Sequence, residues 1–161
     1  MPRPLLRDRQ VVDDPWRYAA DAADAADAAL IVEFEEFTQA PAAWVARAGR
    51  LGVVLNPEQR VEALVDHLPH LSLVAARFSG PSEGRGYTQG ALLRGRYGFK
   101  GELRAVGYVR LDQLFGLARC GFNSFEMSAE DLKVAPSKFA TFSFAYQPAS
   151  DAGLPQALRR A

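Results

Sequence analysis

The glycine-rich stretch at residues 79–88 holds the side chains whose types and spacing best suit ligand binding. Its glycines allow the backbone to expose N–H groups, and its arginine adds a guanidinium that binds oxyanions. A helix that begins at the end of this stretch would favour an anion at its N-terminus. We therefore predict a site for a phosphorylated or sulfur-oxyanion ligand. Its residues are Gly84, Arg85, Gly86, Tyr87 and Thr88, with Arg110 and Asp112 as further contacts. The alternative is that the glycines only allow a tight connection between a strand and a helix.

The same stretch lacks the established nucleotide motifs. No Gly-Lys-Ser/Thr ending follows the glycines, as a P-loop would require. Gly84, Gly86 and Gly90 give the spacing G-x-G-x-x-x-G, which differs from the dinucleotide fingerprint. That fingerprint also needs an acidic residue after the next strand, where this chain has Gly107 and Tyr108. The sequence therefore does not predict NAD binding.

Metal and thiol chemistry have little support in the sequence. His67 and His70 stand three residues apart, but Pro69 between them breaks a shared helix face. Cys120 is the only cysteine, so the chain cannot form an internal disulfide or hold an iron–sulfur cluster. It falls at the end of a predicted helix, where the helix dipole raises the pKa of a thiol. We expect no metal site, no bound cofactor and a packed structural cysteine.

Arginines are numerous in the second half of the chain. Arg94, Arg96 and Arg104 stand next to short side chains, and we interpret them as a solvated face. Arg110 is kept as a candidate contact with the ligand.

Strands that are apolar throughout alternate with helices of about ten residues, which predicts crossover connections and a mostly parallel sheet. The predicted strands cover residues 30–34, 52–55, 71–78, 102–106 and 122–126, and the predicted helices cover residues 41–51, 61–68, 88–97 and 110–119. A short capped helix follows Ser128, and the alternation of aromatic residues predicts a strand at residues 139–146. The fold class is α/β with about five βα units, either an open doubly wound sheet or a half (β/α)8 barrel.

In such folds ligands bind beyond the carboxyl ends of the strands. This rule selects a short set of polar residues and loops. They are Glu33, Glu35, Asn56, the loop at 79–88, residues 107–112 and Glu126.

Length and composition indicate a single globular domain. The chain has 161 residues, of which 48% are hydrophobic, and its 19 basic and 19 acidic side chains cancel. This balance gives no global field for nucleic acid or an anionic membrane. No apolar run reaches the roughly 20 residues that span a bilayer, and the N-terminal residues lack the apolar core of a secretory signal. We expect a cytoplasmic protein that binds neither nucleic acid nor membrane.

We divide the chain into three parts. Residues 1–29 form a hairpin or tether with an Ala/Asp low-complexity segment, residues 30–147 form the α/β domain, and residues 148–161 form a flexible tail. A half barrel would leave open edges, so a homo-oligomer is an alternative if that fold is adopted.

Four blocks of sequence carry a resemblance to a known family. They read LGVVLNP, GRGYTQGALLRGRYGFKGELRAVG, DQLFGLARCGFNSFE and FSFAYQ. Together they resemble a bacterial domain family of unknown biochemical function, whose members are typically encoded beside the assimilatory sulfite reductase haemoprotein and often carry the label oxidoreductase. This chain departs from the family pattern at GPSE, where an Asp usually precedes Gly-Arg-Gly, and at Tyr108, where the family usually has Asp.

The resemblance implies an accessory role in assimilatory sulfite reduction. The chain would assist electron delivery to the sulfite reductase haemoprotein or its maturation, and the aromatic residues at 142–146 would contact this partner. The alternative is a small-molecule enzyme or binding protein whose anionic ligand is held at residues 80–88. The sequence leaves open whether the chain is catalytic.

Overall fold

The computed structural model describes residues 3–21 and 26–141 of the chain. The strands are β1 (Pro4–Arg7), β2 (Gln10–Asp13), β3 (Trp16–Tyr18), β4 (Ala29–Glu33), β5 (Leu51–Leu55), β6 (Leu73–Phe78), β7 (Glu102–Gly107) and β8 (Ser124–Phe125). The α-helices are α1 (Phe34–Gln39), α2 (Pro41–Ala46), α3 (Arg85–Ala91), α4 (Leu114–Arg119) and α5 (Ala129–Thr141). Shorter helical segments are the 3₁₀ helices Ala19–Asp21, Val61–His70 and Leu111–Gln113, and a π-helical turn at Leu92–Arg96.

All eight strands form one sheet, in the order β2-β1-β8-β7-β6-β5-β4-β3. From β3 to β8 each strand pairs in parallel with the next strand along the chain. A run of right-handed crossovers in one direction places the connecting helices on one face of the sheet. The structure confirms the predicted α/β class, and of the two predicted architectures it has the half-barrel-like one.

The N-terminal hairpin extends this sheet. Strand β1 pairs antiparallel with both β2 and β8. The hairpin turns at Asp8 and Arg9, whose φ angles are 50° and 70°. Two successive positive φ angles are the geometry of a type I′ turn, which matches the twist of the two strands.

The sheet curls until its two edges approach each other. Strands β2 and β3 lie at opposite ends of the strand order, yet only Asp14 and Pro15 separate them in sequence. Three Cα–Cα steps span at most about 11 Å. The face away from the helices is therefore the inside of the curl.

The inner face carries its own apolar cluster. Its buried members are Trp16, Ala29, Ile31, Val54, Leu73, Ala75 and Val106. Because these side chains are buried within one chain, the inner face does not need a second subunit to cover it. A homo-oligomer stays a prediction, and its reason is the two sheet edges, β2 and β3, rather than an uncovered inner face.

The outer face and the helices enclose the larger core. Val61, Leu64 and Leu68 are buried, as the amphipathic pattern predicts, but their segment is a 3₁₀ helix that continues through Pro69 to His70. The ring of His67 packs edge-on against Phe37, with 5.1 Å between the ring centroids. This histidine therefore has a packing role.

The C-terminal helix corrects one prediction. Ser128 caps its start by accepting a hydrogen bond from the backbone N–H of Asp131, as predicted. The helix is longer than predicted, however, and it includes residues 139–141, which the aromatic alternation assigned to a strand. Leu132, Ala135 and Phe139 are all buried and follow helical spacing, and this signal extends the helix.

Three predictions fall outside the described residues. These concern the centre of the Ala/Asp segment at 22–25, the aromatic residues at 142–146 and the tail at 148–161. Among the residues that the structure does describe, no helix is both long enough and apolar enough to cross a bilayer.

Candidate functional site

Polar side chains gather where the parallel strands end. Tyr18, Glu33 and Arg77 lie at or next to the last residues of β3, β4 and β6, and Asn56 and Glu126 directly follow β5 and β8. Three of these five residues, Glu33, Asn56 and Glu126, were selected from the sequence by the strand-end rule. The curl of the sheet brings all five to one end of the inner face.

Arg77 joins three strand ends. Its guanidinium donates hydrogen bonds to both carboxylate oxygens of Glu33, at 2.8 and 3.1 Å, and to Oδ1 of Asn56 at 2.6 Å. The hydrogen bond with Glu33 is the main reason that the pKa of Arg77 is raised. The Arg77 side chain is 34% exposed, so this bidentate pair lies at the mouth of the curl.

Below the mouth, one buried guanidinium donates hydrogen bonds to three carboxylates. Arg104 is fully buried and donates to both oxygens of Asp14, at 2.8 and 3.0 Å. It also donates to Glu102 at 2.8 Å and to Oε1 of Glu126 at 3.1 Å. Burial disfavours its charge, but the hydrogen bond with Asp14 and the charge of Glu102 outweigh that effect and raise the pKa of Arg104.

The burial of Arg104 overturns the interpretation of a solvated face for this residue, whereas Arg96 is exposed, as that interpretation holds. Arg104 lies on β7 in register with Ala75 of β6, which belongs to the inner apolar cluster, so its side chain projects into the curl. Arg94 is also not solvated. It donates to the carbonyl oxygens of Phe99, Gly101 and Gly121, and burial lowers its pKa.

Tyr18 extends the buried network to the mouth. Its hydroxyl donates a hydrogen bond of 3.0 Å to Oε1 of Glu126. Burial, and then the charge of Glu126, raises the pKa of Tyr18 far above its ordinary value. The guanidinium of Arg3 lies 5.4 Å from the centroid of the Tyr18 ring. Tyr18 is therefore a neutral hydrogen-bond donor that touches a carboxylate on one side and a cation on the other.

A cleft of about 560 Å³ adjoins this network at the ends of β7 and β8. This volume falls within the range of small-molecule sites. The polar side chains along the cleft are those of Arg3, Asp14, Tyr108, Arg110, Glu126, Ser128 and Asp131. Tyr108 thus lines a cleft.

The predicted anion residues Gly84 to Thr88 lie together at the start of α3, beside a second cavity of about 570 Å³. The carboxylate of Glu83 contacts the groups expected to hold the anion. It accepts hydrogen bonds from the backbone N–H of Arg85 at 3.0 Å and from Oγ of Ser79 at 3.2 Å, and it lies 3.4 Å from Nε of Arg85. A ligand anion would have to compete with this internal carboxylate.

Two residues of the predicted site pack against the core. A side chain at Gly86 would meet the ring of Phe78, and Tyr87 packs edge-on against the same ring at 5.4 Å. Gly86 therefore allows close packing against Phe78. This role agrees with the alternative interpretation, in which the glycines of the loop allow a tight connection between a strand and a helix.

The two remaining predicted contacts are separate from this loop. Arg110 lines the 560 Å³ cleft, and its Nε lies 3.6 Å from Asp131. Asp112 is exposed in the 3₁₀ turn Leu111–Gln113. The structure therefore brings Arg110 towards Glu126 rather than towards Arg85.

Cys120 is half-buried directly after α4. Burial raises its pKa, so the thiol is mostly protonated at neutral pH and is a weak nucleophile. This environment is that of a packed structural cysteine.

Sequence reasoning missed Asp14, Tyr18, Arg77 and Arg104. Arg77 had a usable signal, because it is a charged residue near the end of an apolar strand and in phase with Leu73 and Ala75. Asp14 and Tyr18 had no such signal, since their place beside β7 and β8 depends on the curl.

The chain matches a known sequence family. A sequence model of a bacterial protein family of unknown function, DUF934, covers residues 52–157, which is more than half of the chain. The match confirms the family resemblance carried by the four sequence blocks. No curated protein matches the chain.

Proposed function

We propose that the chain, which belongs to the bacterial protein family of unknown function DUF934, is an accessory protein of assimilatory sulfite reduction. It would assist electron delivery to the sulfite reductase haemoprotein or the maturation of that enzyme. The observation that carries the proposal is the ordered set of four sequence blocks. Those blocks resemble family members that are encoded beside the haemoprotein.

The chemistry of the strand-end site supports a binding role better than a catalytic one. Arg77 is engaged by Glu33 and Asn56, and Arg104 is engaged by three carboxylates. The thiol of Cys120 has a raised pKa. A single cysteine cannot hold an iron–sulfur cluster, so cluster and sirohaem chemistry would belong to the partner.

The proposed contact with the partner uses the aromatic residues Phe142, Phe144 and Tyr146. Aromatic side chains are enriched among the residues that dominate binding energy at protein interfaces. The proposal places both proteins in the cytoplasm. Fractionation of host cells would test this location directly.

A pull-down from the native host tests the partnership. The tagged chain should retain the sulfite reductase haemoprotein, detected by its absorbance and by mass spectrometry. A variant with Phe142, Phe144 and Tyr146 all changed to Ser should retain much less. The matched control is Arg60→Ala. Arg60 directly precedes the 3₁₀ helix Val61–His70 and forms an exposed ion pair with Glu62.

A deletion strain tests the pathway. We expect slow growth on sulfate or sulfite as the sulfur source and normal growth on cysteine. Normal growth on sulfate together with a normal rate of sulfite reduction would contradict the proposal.

The second candidate is a protein that binds a phosphorylated or sulfur-oxyanion molecule at residues 80–88. The cavity of about 570 Å³ beside Arg85 favours it. The contacts of Glu83 with Arg85 count against it.

A further inference from the structure

The buried network beside the 560 Å³ cleft joins three carboxylates to one buried guanidinium. Asp14, Glu102 and Glu126 all contact Arg104. Arg7 lies 3.9 Å from Glu102 and adds a second cation. Asp14 binds Arg104 through both oxygens and Glu102 contacts both arginines, so Glu126 is the carboxylate with the fewest contacts to these two cations.

Glu126 is also the carboxylate of this network that is open to a ligand. Its side chain is 25% exposed and lines the cleft, whereas that of Asp14 is 2% exposed. Tyr18 and Arg104 both donate to the same oxygen, Oε1. Within the described part of the chain, Oε2 keeps its acceptor capacity. A ligand ammonium group would supply donors to this oxygen and form a charge-assisted hydrogen bond with it.

A guanidinium also lies along this cleft. Arg3 lines the same cleft, and its guanidinium lies 5.4 Å from the centroid of the Tyr18 ring. Because the hydroxyl of Tyr18 bonds to Glu126, one tyrosine side chain connects the negative and the positive group. A small molecule with an ammonium group next to a carboxylate could contact both.

Part of the cleft wall is apolar. Leu5, Val109 and Leu132 line the cleft and are buried. A ligand with a short apolar side chain would cover this surface.

We propose that this cleft binds a free α-amino acid with an aliphatic side chain. Glu126 accepts hydrogen bonds from the ammonium group, Arg3 binds the carboxylate, and the apolar wall contacts the side chain. This site is separate from the loop at 80–88, and it does not depend on the proposed role in sulfite reduction.

Calorimetry with the purified full-length chain tests the proposal. The probes are L-alanine, L-valine and L-methionine, each compared with its methyl ester and its N-acetyl derivative. The free amino acids should bind, and each blocked form should bind at least about tenfold more weakly, the factor expected for losing a hydrogen bond to a charged group. Absence of binding at millimolar concentrations, or equal binding of free and blocked forms, would overturn the proposal.

Two variants assign the contacts. Arg3→Gln changes an exposed residue, so it should fold, and it should remove the preference for the free acid over the methyl ester. Glu126→Gln should remove the preference for the free amine over the N-acetyl form. Arg60→Gln and Glu62→Gln, in an exposed pair outside the cleft, are the matched controls and should bind like the wild-type chain.

The Arg3 variant keeps the test decisive if Glu126→Gln fails to fold. An unchanged preference for the free acid in Arg3→Gln contradicts the assignment of the carboxylate contact. If Arg3→Gln or Glu126→Gln loses amino-acid binding but still retains the haemoprotein in the pull-down, the cleft is not needed for the proposed function.

Discussion

Tyr18 on β3 and Glu126 at the end of β8 are joined by a hydrogen bond of 3.0 Å, although four strands separate β3 from β8 in the sheet. Neighbouring strands lie about 4.8 Å apart, so a flat sheet would hold these residues about 24 Å apart. The hydrogen bond therefore shows that the sheet is strongly curled. It also explains why the inner face is buried without a second subunit.

Removing the hydroxyl of Tyr18 should destabilise the curled sheet. Tyr18→Phe should lower the free energy of unfolding by about 1.5 to 3 kcal/mol at neutral pH, because a hydrogen bond to a carboxylate is lost. Urea denaturation measures this difference. Tyr108→Phe is the matched control, since Tyr108 is 38% exposed, and it should be nearly neutral.

The same residue predicts a dependence of stability on alkaline pH. The pKa of Tyr18 is raised from 10.0 in the folded chain by burial and by Glu126, and unfolding returns it to its ordinary value. Its contribution to stability is therefore complete below about pH 10 and is lost as the pH rises above that value. The stability difference between wild type and Tyr18→Phe should narrow above about pH 10. A difference that stays constant across this range would contradict the raised pKa.

Arg104 should be far more important for stability than an exposed arginine. Arg104→Met leaves Asp14, Glu102 and Glu126 without their shared cation and should cost about 3 to 5 kcal/mol. Arg60→Met, at a side chain that is 80% exposed, should cost about 1 kcal/mol or less. Equal losses in the two variants, measured by thermal or urea denaturation, would be inconsistent with a buried network.

Alanine substitutions at two glycines five residues apart should have different effects on stability. A Cβ at Gly90 would collide with the ring of Phe122, so Gly90→Ala should cost about 1 to 3 kcal/mol. At Gly95 no atom lies within 4 Å of the added Cβ, so Gly95→Ala should be neutral or stabilising by up to about 1 kcal/mol. Melting temperatures of the two variants give the comparison.

The loop at 80–88 can be tested through its internal carboxylate. If this loop binds anions, Glu83→Gln should strengthen the binding of sulfate, sulfite or phosphate, because the competing charge is removed. Arg85→Ala should weaken that binding by about 1.5 to 3 kcal/mol. Melting temperatures at millimolar anion concentrations provide the measurement. Identical responses of wild type, Glu83→Gln and Arg85→Ala would leave the glycines with only the role of allowing a tight connection between a strand and a helix.

Local sequence patterns predicted most elements from residue 29 onwards. The apolar runs that became β4 to β8 mark a parallel sheet because such strands are covered on both faces. The type of helix was less predictable, since the spacing of Val61, Leu64 and Leu68 matches the 3.6-residue period of an α-helix, whereas the segment is a 3₁₀ helix. The aromatic alternation at residues 139–146 misplaced Phe139, whose helical phase with Leu132 and Ala135 is the stronger signal.

The residues of the candidate site could also be predicted only in part from the sequence. Glu33, Asn56 and Glu126 could be selected in advance because each follows or ends a recognisable strand. Arg104 was assigned to a solvated face, because the sequence alone does not show which side of β7 lies inside the curl.

The sequence by itself determined the α/β class, the family and the carboxyl-end positions of several polar residues, because these depend on local periodicity and on motifs. Only the tertiary structure decided that the sheet curls, that Asp14 and Tyr18 reach Arg104 and Glu126, and that the cleft carries both a carboxylate and a guanidinium. Contacts between residues about 90 to 110 positions apart follow from the sum of strand twists across the sheet, and no local pattern encodes that sum.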